Sequence, residues 1–504
     1  MWAHLWRTQL PELIGNTVLL LLAVGAGTLV LGSALAWLVV SYRFPACRAF
    51  EWALILPLAI PAYVVGFAFL GLLEFSGPVQ TTLRGWLGDW VRLPELRSFG
   101  GVALMMILVF YPYVYLLARA AFREQGSATL ETARSLGRSR LRAFVEVTLP
   151  MARPSLAAGV SLAMMEALAD FGTVATFGYR TLTEAIYRVW YGMFDRLAAT
   201  QLASILLLFA FTLLALERAS RGRARFTQAQ RRGQSLPVAL HGWRAGAATA
   251  TCLAVLGLAF LLPVGQLALW AIQTMASGQV APTFGHLLAT TLWLAGAASL
   301  VACLLAVTLA YAGRLEPSGA IRFSTRFASM GYALPGAVIA VGVLLPLAWL
   351  DHAVAPAVDR LAGRSVGLLL TGSAAGLLFA YLGRFLAVSL QTVEASLGKI
   401  PASLDDAARS LGASAGAALR RIHLPLMRGG LLTALILVFV ETMKEMPATL
   451  LLRPFGLNTL AMEVWERTSE AMWQEAALPA LAIVVAGLLP VALTLRLSGR
   501  RPDA

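Results

Sequence analysis

Charge is scarce in this chain. Of 504 residues only 13% are Asp, Glu, Lys or Arg, and lysine occurs just twice, at Lys399 and Lys444. Soluble globular domains carry about 25% charged residues, so a surface that faces water throughout is excluded. Cysteine is sparse too: Cys47, Cys252 and Cys303 stand far apart, and the five histidines are dispersed. Metal centres built from Cys and His need ligands at short, regular spacings. None occurs, so no bound metal and no cofactor is expected. Two lysines also leave no phosphate-binding loop, which needs Gly-Lys-Ser/Thr, because Lys399 precedes Ile400 and Lys444 precedes Glu445. H-E-x-x-H is missing as well. The chain is expected not to be an enzyme, and any energy it uses must come from another subunit or an ion gradient.

What fills the sequence instead is apolar: 59% hydrophobic residues and a mean hydropathy of +0.74. Eleven candidate spans fall at 13–41, 52–74, 101–122, 155–177, 199–217, 247–273, 287–311, 327–350, 366–390, 429–451 and 478–496. Each is long enough to cross about 30 Å of hydrocarbon as a helix. The runs are continuous rather than alternating, which excludes a β-barrel. An all-α polytopic membrane protein is therefore expected. Its net charge of +14 is a topology signal. Loops on one side hold 25 Lys and Arg, those on the other 11, so the first side is cytoplasmic. This basicity faces the lipid bilayer's anionic headgroups, and no nucleic acid is expected as a partner.

The chain repeats itself at an offset of 274–275. Residues 131–137 read E-T-A-R-S-L-G and residues 406–412 read D-A-A-R-S-L-G. Leu149-Pro150 matches Leu424-Pro425, Glu166 matches Glu441 and Asp170 matches Glu445. Upstream, Asn16-Thr17 falls on Thr290-Thr291 and Pro61 on Pro335. Both copies put the motif loop on the cytoplasmic side, so the repeat is parallel. The expected domains are 1–217, an Arg-rich cytoplasmic linker at 218–246, and 247–504 with its core at 287–496. The second copy has a span, 247–273, with no counterpart before residue 13. Either an N-terminal helix is absent, which would make twelve spans, or the protein has eleven.

The loops 123–153 and 391–428 are too long for turns. Each opens with helix-compatible residues, reaches a glycine (Gly137, Gly412) that permits a left-handed backbone, and continues through a second helical stretch expected to end at Leu-Pro. The spacing resembles the cytoplasmic EAA loop of type I ABC importer permeases: E-A-A, three residues, Gly, nine residues, an aliphatic, one more, then Leu-Pro. Glu131, Thr132, Ala133, Gly137, Val147, Leu149 and Pro150 fill that pattern in copy one. Asp406, Ala407, Ala408, Gly412, Ile422, Leu424 and Pro425 fill it in copy two. The departures are modest: Thr132 stands for Ala, Asp406 for Glu, and Val147 for Ile at the aliphatic position. The resemblance implies two tandem MetI-like transmembrane domains, a coupling helix in each loop docked on an ATPase subunit, and a bacterial inner-membrane location. Ala133 and Ala408 would allow close approach, Glu131 and Asp406 would meet basic groups, and Arg134 and Arg409 would pair with acids or cap carbonyls.

Ionisable residues inside spans are functional candidates. Glu166 and Asp170 share a helical face, and Glu441, Lys444 and Glu445 form a similar cluster. These five are candidates for lining a translocation path, or else cap outer helix ends or pair between halves. Residues 166–201 and 441–465 resemble the fused ferric-iron importer permeases. That likeness implies a periplasmic ferric-binding protein and a homodimeric ATPase as partners. Thiamine permeases are fused likewise, polyamine and phosphonate permeases share the loop, and a gradient-driven secondary transporter is a separate alternative.

Overall fold

The computed structural model describes residues 6–124, 135, 137–221, 237–316, 318–363 and 368–498. By packing, the chain divides into two compact units, Met1–Ile272 and Gln273–Ala504. The helices of unit 1 are α1 (Leu10–Ser41), α2 (Cys47–Ala53), α3 (Ala62–Leu73), α4 (Pro78–Leu87), α5 (Phe99–Glu124), α6 (Arg140–Ala143), α7 (Arg153–Ala169), α8 (Gly172–Thr176), α9 (Leu182–Tyr187), α10 (Arg196–Arg221) and most of α11 (Trp243–Ala276). Helices α1, α5 and α7 pack pairwise, α10 lies on α7 and α9, and α3 carries α8. Lipid supplies no hydrophobic drive between helices, so close backbone approach matters. Gly32 and Gly159 provide it: a Cβ on either would come within 2.8 Å of Val114 on α5.

The first part of α11 packs on α2, with Cys252 buried. A two-residue parallel strand pair, Tyr42–Arg43 with Val238–Ala239, fixes the chain just before α11. Residues 222–236 of the expected linker lie outside the described residues.

Unit 2 repeats the scheme with α12 (Phe284–Leu315), α13 (Gly319–Ala328), α14 (Gly336–Ala362), α15 (Ala374–Leu397), α16 (Ser403–Ser410), α17 (Ala415–Met443), α18 (Pro447–Leu452), α19 (Leu460–Ser469) and α20 (Trp473–Ser498). Helices α12, α15 and α17 pack pairwise, α20 lies on α17 and α19, and α14 carries α18. The chain is thus an all-α polytopic membrane protein of two tandem domains. Among the described residues ten helices are long and apolar enough to cross a membrane. The run expected at 155–177 is the short α7, 17 residues, which stops before Asp170.

Several expected spans are broken where hydropathy reads through. The run at 52–74 contains the end of α2, a 3-10 turn at Leu56–Ala59 and all of α3 after Pro61. The run at 327–350 has the same break, a 3-10 turn at Gly331–Ala333 and then α14 after Pro335. Proline forces the residue before it out of the helical region, and Ile60 and Leu334 are both extended. The run at 429–451 breaks between Met443 and Pro447. That at 366–390 becomes helical only from Ala374.

Candidate functional site

Each cytoplasmic loop turns on its glycine. Gly137 has φ +82° and Gly412 has φ +77°, a region that disfavours residues with a Cβ. Around Gly412 the hydrogen bonds are those of a Schellman cap: Ala413 N–H donates to Ala408 O at 2.9 Å, and Gly412 N–H to Arg409 O at 3.0 Å. A serine then starts the next helix in both loops. Ser139 Oγ accepts from Arg142 N–H (3.4 Å) and Ser414 Oγ from Ala417 N–H (3.3 Å). Gly412–Gly416 also fits the nucleophile pattern G-x-S-x-G, but this capping bond and the lack of a preceding strand give Ser414 a structural role.

In the second loop the helical stretch does not end at Leu-Pro, as the sequence led us to expect, but runs on into the span, so Ala415–Met443 is one length of helix. In the first it ends at Met151, just past Leu149-Pro150, and a turn at Ala152 leads into α7. The proline is accommodated by a π-turn: Phe144–Thr148 before Pro150, and Leu419–His423 before Pro425. Pro has no N–H to give the carbonyl four residues back, and the ladder widens one step earlier. Leu149 N–H donates to Phe144 O, and Leu424 N–H to Leu419 O. Leu149, Pro150, Leu424 and Pro425 thus root each loop in its span.

Glu131, Ala133 and Arg134 lie outside the described residues. In the second loop Ala408 is buried, while Asp406 and Arg409 pair with each other on the exposed side of α16. Sequence reasoning missed the residue beside them. Asp405 Oδ2 accepts from Arg314 Nε (2.8 Å) and forms an ion pair with Nη2 (2.6 Å), and its Oδ1 lies 2.7 Å from His423 Nε2. The only sequence hint was a second acid in the first turn of α16.

At the other ends of the spans, Asp170 and Glu445 are helix caps. Asp170 Oδ1 accepts from Thr173 N–H (2.7 Å) and its Oδ2 from the Thr173 hydroxyl (3.0 Å). Glu445 Oε1 accepts from Ala448 N–H (2.9 Å), while its Oε2 meets Arg384 Nη1 at 2.6 Å. Both partners of that pair are buried, with 4% and 10% of their side chains exposed. Glu441 Oε1 and Lys444 Nζ pair at 2.8 Å in a partly open position, and Glu166 is half-buried on α7. Two threonines tie the following segments back. Thr17 Oγ1 accepts from Leu182 N–H (3.0 Å), and Thr291 Oγ1 from Leu460 N–H (2.9 Å). Among the described residues no group of three His, Cys, Asp or Glu is placed to hold a metal ion.

Paired loops at matched roots of a duplicated helical scaffold define a two-domain permease. The chain belongs to the family described as binding-protein-dependent transport system inner membrane component, whose model matches residues 7–225 and again 304–502. It is accordingly a multi-pass inner-membrane permease of ATP-driven importers, a class that works with an ATPase and a periplasmic binding protein. The chain is 27% identical to the Fe(3+)-transport system permease protein FbpB 2 of Haemophilus influenzae, over 97% of this chain and 90% of that protein. It is 25% identical to the ferric transport system permease protein FbpB of Actinobacillus pleuropneumoniae, over 89% of this chain and 65% of that one. The sulfate transport system permease protein CysT of Escherichia coli is 28% identical over 42% of this chain and 78% of its own length.

Proposed function

We propose that this chain forms the translocation path for ferric iron released by a periplasmic ferric-binding protein, driven by a homodimeric ATPase seated on the two cytoplasmic loops. The observation that carries the docking part is the shared backbone device: a left-handed glycine, a serine cap and a π-turn before proline, built twice at matched positions. A homodimer offers two equal seats, which suits two loops of one design. Iron is favoured by coverage. The two ferric relatives align with 97% and 89% of the chain, whereas the sulfate relative aligns with 42%. The repeat domains are 1–217 and 247–504, joined by the cytoplasmic segment 218–246. In this reading Glu131, Arg134, Asp406 and Arg409 meet the ATPase, and Ala133 and Ala408 let it come close.

Glu166 and the Glu441–Lys444 pair are the part-exposed charges that would line the path. Asp170 and Glu445 shape it by capping the helices that follow. The test is uptake by proteoliposomes holding this chain, the ATPase and the binding protein. ATP-dependent accumulation of radiolabelled ferric iron is expected, with sulfate and thiamine excluded. Uptake driven by a proton or sodium gradient without any ATPase would refute the importer reading. Gly137→Val with Gly412→Val should leave insertion intact and abolish ATPase association, since a β-branched residue cannot hold these backbone angles.

A further inference from the structure

Four elements of unit 2 meet at one carboxylate. Asp405 stands in the first turn of α16. Besides holding Asp405, Arg314 at the end of α12 donates Nη1 to Leu397 O (2.9 Å) and Nη2 to Ile400 O (2.9 Å) and Pro401 O (3.2 Å). Its guanidinium therefore closes the carbonyl end of α15 and grips α16 at once. His423, the last residue before α17 passes Leu424-Pro425, holds the other oxygen of Asp405. A turn earlier on α12, Tyr311 donates its hydroxyl to Ala415 O (2.8 Å), and its ring centre lies 5.3 Å from that of His423. His423 is 0% exposed and its Nδ1 has no hydrogen-bond partner. Buried polar atoms without partners are rare and are retained for a reason.

The matched positions of the first repeat cannot build this. Val40 stands for Arg314, Leu130 for Asp405 and Thr148 for His423. Trp37 stands for Tyr311 and instead stacks on Phe144, with ring centres 4.6 Å apart. Ring stacking leaves room to slide. Charge-assisted hydrogen bonds from a planar fork fix both distance and angle.

We propose that Asp405 is a positioning residue that makes the docking helix α16 and the roots of α12, α15 and α17 move as one piece, so that the second loop is the stiff one through which ATPase motion enters the bundle. The inference rests on the reading that this loop seats the ATPase. It adds that the two seats are mechanically unequal.

The experiment uses the reconstituted complex with binding protein and ATPase. It measures iron transported per ATP hydrolysed, alongside the amount of ATPase that copurifies. Asp405→Asn should keep the ATPase bound while the transport ratio falls about fivefold or more, the size of an ordinary coupling between sites. Arg314→Leu should do the same, the double variant should be no worse than either single, and Asp405→Glu should recover most of the ratio. A wild-type ratio in Asp405→Asn overturns the proposal. So does a loss of transport that merely follows loss of bound ATPase. If Asp405→Asn does not accumulate, Tyr311→Phe removes one hydrogen bond and no charge at the same seam, and an unchanged ratio there overturns the proposal equally. Failure of the docking reading looks different: Gly412→Val would then leave ATPase association intact, whatever Asp405 does.

Discussion

In the first loop Trp37 lies on Phe144, and Phe122 meets the same ring edge-on at 5.6 Å. In the second, Arg314 and His423 grip Asp405. From the glycine onward the two loops share three backbone features, a left-handed glycine, a serine cap and a π-turn. Only the side chains that hold them to the bundle have changed from aromatic to ionic. The difference shows which part of the loop is constrained. Glycine and proline dictate backbone geometry by themselves, so the turn persists, whereas many kinds of contact can fasten a helix root.

The outer ends diverge in the same manner. Phe177 is buried against Gly66, where a Cβ would come within 2.9 Å of its ring. Phe455, which falls on Phe177 at an offset of 278, is fully exposed, and Ala340 stands where Gly66 does at 274. Asp170 caps its helix through hydrogen bonds that include the Thr173 amide and hydroxyl, while Glu445 caps its helix and also binds Arg384. The first half has Phe110 or Val109 near the position of Arg384, depending on whether the offset is 274 or 275.

The largest expected effect tests that last contrast. Arg384→Leu leaves Glu445 buried without its cation, and breaking such a pair costs about 3–5 kcal/mol. Asp170→Asn in the other half removes part of a cap, worth about 1 kcal/mol. Thermal unfolding in detergent should therefore show a much lower Tm for Arg384→Leu than for Asp170→Asn. Arg384→Leu combined with Glu445→Gln should recover part of the loss. Equal shifts in the two single variants would mean that the ion pair is not what distinguishes the halves.

Acid should separate the two loops next. Burial alone would raise the Asp405 carboxyl, but the hydrogen bonds from Arg314 and His423 outweigh it and hold Asp405 below the usual carboxylate range. A group with a lowered folded pKa contributes stability that is fully present above its unfolded value, about 3.9 for Asp, and is lost as pH falls through the folded one. Hydrogen bonds to charged groups are worth about 1.5–3 kcal/mol. Amide exchange, corrected for its intrinsic pH dependence, should show residues 397–423 losing protection below about pH 4 while residues 137–151 keep theirs. Simultaneous loss in both loops would break the comparison.

How much of this was legible in the sequence follows from how far apart the partners lie. The turn at Gly137 and Gly412 was readable because a glycine acts locally, and the duplication made the signal specific. The breaks before Pro61 and Pro335 were less so. Apolar residues continue through them, and hydropathy does not register that a span has become a 3-10 turn and a new helix. Asp405 and Arg314 are 91 residues apart, and Arg384 and Glu445 are 61 apart. No spacing rule links such pairs, so a single sequence names the charges and leaves their pairing open. Asp170 and Glu445 were singled out as carboxylates inside spans, but only the geometry shows their capping bonds. The π-turns were hidden too. Leu-Pro reads as a helix end until the helix is seen to absorb the missing N–H by widening one turn earlier.

The smallest effect concerns a pair the repeat did point to. Thr17 and Thr291 match at offset 274, and the backbone N–H groups they accept, on Leu182 and Leu460, match at 278. The second half thus carries extra residues between its capping carboxylate and this tether, in the stretch that holds α18 and exposed Phe455. Each threonine hydroxyl also donates back to its own helix, to Leu13 O and Leu287 O, so its lone pair is aimed at the incoming N–H. Thr→Val keeps the shape and removes the acceptor, leaving a buried N–H unpaired at about 1–3 kcal/mol. Because the two tethers share geometry and burial, Thr17→Val and Thr291→Val should lower Tm by the same small amount. The segment after Thr291 is longer by those residues, so it can relax further once released. Proteolysis at residues 453–459 should therefore rise more in Thr291→Val than cleavage at 176–181 rises in Thr17→Val. Equal cleavage would show that the added residues bring no freedom, and that the tether alone sets the order of the outer segment.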